Sequence, residues 1–500
     1  ILRCLVGSEM CIRDSYRTPF YSRLLFFDDQ NLNIMKNVKR ESVAPEKLSD
    51  GYVDPAVDLV NLCWGYPFVF YCEAIGKYVL YYQGWSRNNV VMPHHISLAA
   101  ESDDGVNFRP FNMAQFGNCD DYILPNQVLP IKVGGFSFLE GQFFVDDNAK
   151  VPSEKYVALT LYKSSGLDYK AVVFTSADGL RWKLDENKTW HEGMNAPDYP
   201  ISLFYNRTDG TYGIFKRPRH ADRRSSVAYG KELGKFGKPS IVFQADAADK
   251  HLTDIYGVSM FPYADMYVGF IMLYHTPNYF ELNGEKVSGL PTHKFLGGNV
   301  EPQLVYSYNG VHFNRFLREP FFGRSGFENG CMYPTCMVAD KADDNIMIYA
   351  SATREEHGRI NKGEGRIVPF RMRKDGFCCL KSENGIAELL TRGIYVDGEK
   401  LAFNVQCEKS GFLEIQVEDC EGNVLEGYSF ADCVTFSGDE TSHSFAFASG
   451  KTFGALKGKM ITIRMRFENA RIFGIEGDFL VVTPFQYLRH KEYGEIPEQL

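Results

Sequence analysis

Five segments of the chain open an aromatic, β-branched run in the same way. They are WGYPFVFYCE from Trp64, FLEGQFFVDDN from Phe138, APDYPISLFYN from Ala196, LTDIYGVSMFP from Leu252 and FENGCMYPTCM from Phe327. In four of them a carboxylate stands at the entry: Glu140, Asp198, Asp254 and Glu328. In the first the place is held by Tyr66. Two carboxylates flanking a glycosidic bond can cleave it, one protonated and one ionised. Several carboxylates crowded in one funnel push their pKa values apart, which supplies both forms at once. Asp198 and Glu328 are the expected catalytic pair, with Glu140 orienting or tuning and Asp254 as a further acid. The competing reading for each is a carboxylate that caps a strand or turn and meets only solvent.

Other side chains could bind what such a site cleaves. FKRPRHADRRSS, from Phe215 to Ser226, is the densest basic run. Arg217 and Arg219 follow a strand there, and a guanidinium grips hydroxyls, carboxylates or phosphate bidentately. Arg223 and Arg224 read more simply as a solvated loop. His357, in REEHG, could bond substrate or steady a carboxylate, or be a loop histidine with no role; the same choice holds for His94 and His95. Trp64, Trp85 and Tyr66 are candidate sugar platforms near the first segment, although packing is the commoner fate of a Trp. Asp146 and Asp147 read as turn residues.

Such residues need a scaffold that brings distant segments to one place. Strand signals dominate, as in PFVFYCEAIGKYVLYYQGW, EKYVALTLYK, DMYVGFIMLYH and NIMIYASAT, and long helical periodicity with caps is nearly absent. The expected class is all-β. A hairpin pattern recurs: ESDDGVNFRPF from Glu101, TSADGLRWKL from Thr175, YSYNGVHFNRF from Tyr306 and MRKDGFCCL from Met372. Each turns on Asp-Gly or Asn-Gly, dipeptides that tolerate positive φ. A degenerate relative lies in Val227–Phe243. Units of several strands recurring every 55–75 residues or so suggest a five-bladed β-propeller. Its inner strands start at the mouth of a central channel, where the carboxylates would gather.

The expected organisation places a non-native segment at 1–20, where CLVGSEMCIRDS resembles sequencing-adapter read-through. The propeller follows at 21–392. A β-sandwich spans 393–485, where the pattern shifts to short Gly turns, and a polar tail spans 486–500.

The bulk numbers narrow the function classes. Of 500 residues, 44% are hydrophobic and 23% charged, as in a soluble globular protein. The net charge of −9 argues against nucleic acid as a main partner. No apolar run suits a membrane span. Twelve Cys are scattered with no C-x-x-C pair and no zinc spacing, so buried reduced thiols in the cytoplasm are expected. No phosphate-binding loop, dinucleotide fingerprint, zincin motif or nucleophile elbow occurs. No metal and no cofactor is expected; the expected partner is an oligosaccharide or glycoside.

The S-x-D-G-x-x-W/F hairpins and the fivefold count resemble the five-bladed propeller glycoside hydrolases, the arabinanase/levansucrase/invertase-like superfamily that includes families 43 and 32. The segment after Gly393 is similar to the sandwich that follows such propellers. The likeness covers roughly residues 24–485. It implies glycosidase activity, with an Asp opening blade one, a second Asp opening blade two and a Glu acid opening blade three. Here those places fall on Gly65–Tyr66, Glu140 and Asp198. The first has no acid, so Asp254, Glu328, Asp54 or Asp58 would have to serve, or the protein is not a standard hydrolase. Two alternatives stay open: a glycoside phosphorylase on the same scaffold, with the basic run holding phosphate, and a non-catalytic carbohydrate-binding propeller.

Overall fold

The structure is a computed structural model. It describes residues 22–55, 60–86, 95–146, 148–164, 168–193, 201–218, 222–250, 252–276, 298–323, 328, 330–340, 344–357 and 365–495, and of 60–64, 85–86 and 191–193 the backbone alone. The expected all-β class is borne out by the strand order along the chain. Two compact units form. One takes residues 44–262 and 267–372; the other takes 1–43, 263–266 and 373–500.

The larger unit is built from five antiparallel meanders of four main strands each. The first runs through Val60–Cys72, Lys77–Ser86, His95–Ser102 and Arg109–Pro110. The second comprises Phe136–Val145, Tyr156–Lys163, Tyr169–Ser176 and Lys183–Gly193, and the third Ser202–Asn206, Thr211–Lys216, Ser225–Gly230 and Ser240–Phe243. The fourth is Thr253–Tyr263, Met266–His275, Asn299–Ser307 and Asn314–Pro320. The fifth has Cys331–Ala339, Asn345–Thr353 and Gly365–Arg373. Its fourth strand comes from the other end of the chain: Glu46–Lys47 pairs with Gly365–Arg373 in the register Phe370↔Lys47.

Successive meanders are tied in a closed cycle, the arrangement of a five-bladed β-propeller. Gln83 Nε2 donates to the Gly141 carbonyl, linking the first to the second at 2.6 Å. Tyr212 Oη donates to Asp146, third to second, at 2.6 Å. Met260 N donates to Ser202 Oγ, fourth to third, at 3.0 Å. Ser259 Oγ donates to the Pro334 carbonyl, fourth to fifth, at 2.6 Å. Thr335 Oγ1 donates to the Pro67 carbonyl, fifth to first, at 3.0 Å. Between the ties lie aromatic cores, such as Phe70, Tyr81, Phe143 and Trp182 between the first two meanders. Rings of this size bury about 150–250 Å² each, which is why the chain carries so many.

Three outer hairpins share one hydrogen-bond pattern. Ser102, Ser176 and Ser307 each accept from the Gly three residues on, at 3.0, 2.9 and 2.9 Å. Asp104, Asp178 and Asn309 each accept from the two backbone N–H groups that follow the Gly, at 2.8 to 2.9 Å. Gly105, Gly179 and Gly310 sit at φ +74°, +73° and +66°, so the Asp-Gly and Asn-Gly signals mark real positive-φ turns.

MRKDGFCCL is not a fourth member of that series. After Gly365–Arg373 the chain does not return to the meander; it enters the smaller unit as Cys378–Ser382. Asp375 is buried there at φ +60° and accepts from Arg23 Nη1 at 3.0 Å. The place an outer hairpin would have filled is taken by Glu46–Lys47.

The smaller unit forms one hydrogen-bonded set of eight strands around the long Ile394–Asp419 and Met460–Val481. Their register runs antiparallel, from Ala402↔Glu476 to Asp419↔Ile461, and Ile394 has partners on both sides, Ile461 and Val481. Leu413, Ile415 and Val417 alternate inward with Ile463, Met465 and Phe467. The boundaries differ from those expected. Arg23–Leu25, Leu32–Lys36 and Val38–Ser42 belong to this unit because they pair with Met460–Val481, Ala387–Thr391 and Cys378–Ser382.

The C-terminal segment also departs from the expected loose tail. Pro484–Tyr493 is an α-helix. Thr483 Oγ1 accepts from Gln486 N at 3.2 Å, and Gln486 Oε1 accepts from Thr483 N at 2.8 Å, a capping box with Pro at the first helical position. No helix among the described residues is long and apolar enough to cross a membrane.

Candidate functional site

In each meander the first strand begins, the second ends and the third begins at the same end of the unit. That topology brings residues from three meanders together. Asp254 and Tyr256 lie near the start of Thr253–Tyr263, and Tyr274 near the end of Met266–His275. Arg217 follows Thr211–Lys216 and Arg223 precedes Ser225–Gly230. His357 follows Asn345–Thr353, and Tyr333 is near the start of Cys331–Ala339.

The tyrosines form the floor. Tyr256 packs on Tyr333 with ring centroids 5.1 Å apart and on Tyr274 at 6.2 Å. His357 stands edgewise to both, 5.1 Å from Tyr256 and 5.5 Å from Tyr274. Its Nε2 is 3.1 Å from Tyr256 Oη, and its backbone N donates to the Gly298 carbonyl at 2.9 Å. Two guanidinium groups cover these rings. Arg217 lies 5.3 Å from the Tyr256 centroid and donates from Nη2 to the Tyr256 carbonyl at 2.9 Å. Arg223 lies 5.5 Å from the Tyr256 centroid and 4.5 Å from that of Tyr274. Cations over ring faces are attracted by the ring quadrupole.

Asp254 is the carboxylate of this cluster. Burial pushes its carboxyl above the ordinary range, against the backbone N–H and charge of Arg223 and the charge of Arg217. Beside it runs a polar chain: Thr253 Oγ1 is 2.8 Å from His275 Nδ1, His275 Nε2 is 3.4 Å from Glu301 Oε1, and Lys250 Nζ is 3.3 Å from Glu301 Oε2. Burial works to raise Glu301, but His275 and Lys250 outweigh it and hold the carboxyl down at about 2.

Glu328 is fully buried, and Lys47 Nζ lies 3.0 Å from its Oε2. Lys47, on a strand of the fifth meander, balances this buried charge, and removing it would leave an uncompensated carboxylate in the interior. Glu140 is half-buried in Phe136–Val145, beside a register shift between Phe138 and Glu140. Tyr66 is buried among Val157, Leu159, Ile201 and Leu203. It adopts φ +37°, after Gly65 at +73°, in a bulge between Trp64 and Phe68. A positive φ at a bulky residue is strained and persists where surrounding packing fixes it. A Cβ at position 65 would meet Gln83 Oε1 at 2.9 Å, so glycine is required twice over there. Asp198, Asp58, Asp147, His94 and Arg219 lie outside the described residues, as do the side chains of Trp64 and Trp85.

The remaining candidates have structural work. Asp54 is buried and accepts from Tyr82 Oη and from Asn126 Nδ2. Asp146 caps its turn by accepting from Asn148 N at 3.0 Å, as expected. His95 Nδ1 donates to the Leu139 carbonyl. Arg224 pairs with Asp222 at 2.7 Å.

Sequence reasoning missed Tyr256, Tyr274 and Tyr333, and it set Arg223 aside as loop. The signal available was position. Tyr256 stands two residues after Asp254 on the same strand, and so on the same face.

No protein-family model and no curated protein matches this chain. Solved structures do match in trace. One is an N-acetylgalactosamine deacetylase from F. plautii in complex with blood group B trisaccharide, 11% identical, covering 68% of this chain and 97% of that one at a TM-score of 0.44. Another is an exo-β-1,3-galactanase from Phanerochaete chrysosporium, 9% identical, covering 88% and 100% at 0.38. A third is a glycoside hydrolase family 43 arabinoxylan arabinofuranohydrolase from Bacillus subtilis, 11% identical, covering 87% and 99% at 0.39. At these scores the likeness carries no weight in assigning chemistry to individual residues.

Proposed function

We propose that the larger unit is a glycosidase acting on oligosaccharide termini at the end where Asp254, Arg217, Arg223 and His357 meet the tyrosines. The observation that carries this is Asp254. Its burial favours the protonated carboxyl, the form a general acid needs to protonate a leaving glycosidic oxygen. Tyrosine faces suit the C–H faces of sugar rings, and guanidinium and imidazole groups suit their hydroxyls.

The second carboxylate belongs to Glu140 or Asp198, each at the entry of an inner segment. Glu328, paired with Lys47, is assigned to the fold. The test is turnover of aryl glycosides by Asp254→Asn, Glu140→Gln and Asp198→Asn. A proton-transfer residue contributes about 10²–10⁴-fold, so Asp254→Asn and one of the other two should fall by about that much. Wild-type rates in Asp254→Asn defeat the assignment.

One observation favours a second reading. Tyr66 occupies the first-meander entry as a buried aromatic and supplies no base there. A propeller that binds sugar without cleaving it would show saturable binding, no turnover, and no change of affinity in Glu140→Gln.

A further inference from the structure

Arg223 differs from the cations around it. Arg224 pairs with Asp222, Lys250 with Glu301 and Arg315 with the half-buried Asp249. Arg223 makes no ion pair among the described residues; its contacts are the two tyrosine faces and the electrostatic pull of Asp254. Its backbone is fixed, because its carbonyl accepts from Ile255 N at 3.0 Å.

A guanidinium over ring faces is stabilised without spending its donors, which lie in its own plane and point outward along its edge. Such an edge fits a carboxylate through two parallel hydrogen bonds. Asp254 attracts this charge but forms no ion pair with it among the described residues, so the edge of the guanidinium is left to a ligand. A half-buried cation left in this state is matched by an anion on the ligand.

Building on the glycosidase reading, we propose that Arg223, seated over Tyr256 and Tyr274, receives the carboxylate of an acidic sugar. The substrate class is then a uronic-acid-containing glycan.

The experiment compares paired ligands that differ only at C6, aryl glucuronide with aryl glucoside and aryl galacturonide with aryl galactoside. Binding and turnover are measured for the wild type, Arg223→Gln and Arg223→Lys, with and without inorganic phosphate. A charge-assisted pair predicts that the wild type prefers the acidic member by about tenfold or more. In Arg223→Gln the ratio falls to about one, and Arg223→Lys keeps part of it. Raising salt from about 0.05 to 0.5 M weakens acidic-ligand binding to the wild type more than neutral-ligand binding, a readout that needs no variant to fold. A wild type without acidic preference, an unchanged ratio in Arg223→Gln, or equal salt responses overturns the proposal. Phosphate-dependent turnover lost in Arg223→Gln gives the slot to inorganic phosphate and also overturns it. Cleavage of neutral glycosides without acidic preference defeats this inference alone. Binding of neither kind of ligand defeats the reading beneath it.

Discussion

Tyr349 Oη donates to the Gly105 carbonyl at 2.8 Å, so a middle strand of the fifth meander holds the outer turn of the first. The same relation joins Tyr81 to the Gly179 carbonyl, first to second, and Tyr229 to the Gly310 carbonyl at 2.6 Å, third to fourth. Each clamp places a phenol on the carbonyl of a positive-φ glycine one meander further round.

Tyr349→Phe should therefore destabilise the larger unit by about 1–3 kcal/mol, because a buried carbonyl loses its donor while the ring stays packed. Denaturant unfolding checks this. An unchanged midpoint would show that the clamp is incidental.

Asp254→Asn should stabilise the fold while it lowers turnover by about 10²–10⁴-fold. The native carboxyl is raised above its ordinary 3.8. The folded state then binds more protons than the unfolded chain between 3.8 and the folded value, so stability falls as pH rises through that window. Asparagine has no such loss. Thermal midpoints should favour the variant at pH 7 and converge with the wild type below pH 3.8.

Glu301→Gln should behave in the opposite sense. Glu301 is lowered from 4.5 to about 2, so its contribution is present above 4.5 and is lost as pH falls toward 2. The variant should be less stable at pH 7 by up to about 2 kcal/mol, discounted for the exposed Lys250, with the difference gone near pH 2.

Glu328→Gln separates fold from chemistry. With Lys47 as its partner, the substitution should lower the thermal midpoint and leave kcat within about twofold. A loss of two orders of magnitude in kcat without a stability change would return Glu328 to the catalytic pair.

Much of the larger unit was legible because its signals are local. Aromatic alternation marks half-buried strands, and Ser-x-Asp-Gly or Ser-x-Asn-Gly satisfies a turn within four residues. The final strand was illegible because Glu46–Lys47 is two charged residues with no apolar pattern; only its pairing to Phe370 and Arg371 makes it a strand. MRKDGFCCL imitates the local turn, and nothing within it tells that the chain leaves the meander. The helix at Pro484–Tyr493 was readable from Thr483-Pro484-Phe485-Gln486, yet its polar composition outweighed the cap. At the site, Asp254, Arg217 and His357 were readable because they stand at strand ends. Tyr256 and Tyr274 read as core because an aromatic in a strand is packed either way. Whether its face also meets a cation depends on a loop from the neighbouring meander.

The pairing of Lys47 with Phe370 sets an order on how the chain can reach its native state. The two residues are about 320 apart in sequence, and contacts of such separation form late because the loop between them must close first. During synthesis the Glu46–Lys47 segment emerges early and stays without its partner until almost the whole larger unit has been made. Once Gly365–Arg373 has been made, it presents an unpaired edge until Glu46–Lys47 docks on it, a template on which a second chain could add. A chain that begins after residue 47 would keep that edge for good, and its refolding yield should fall steeply with protein concentration while the full chain's does not.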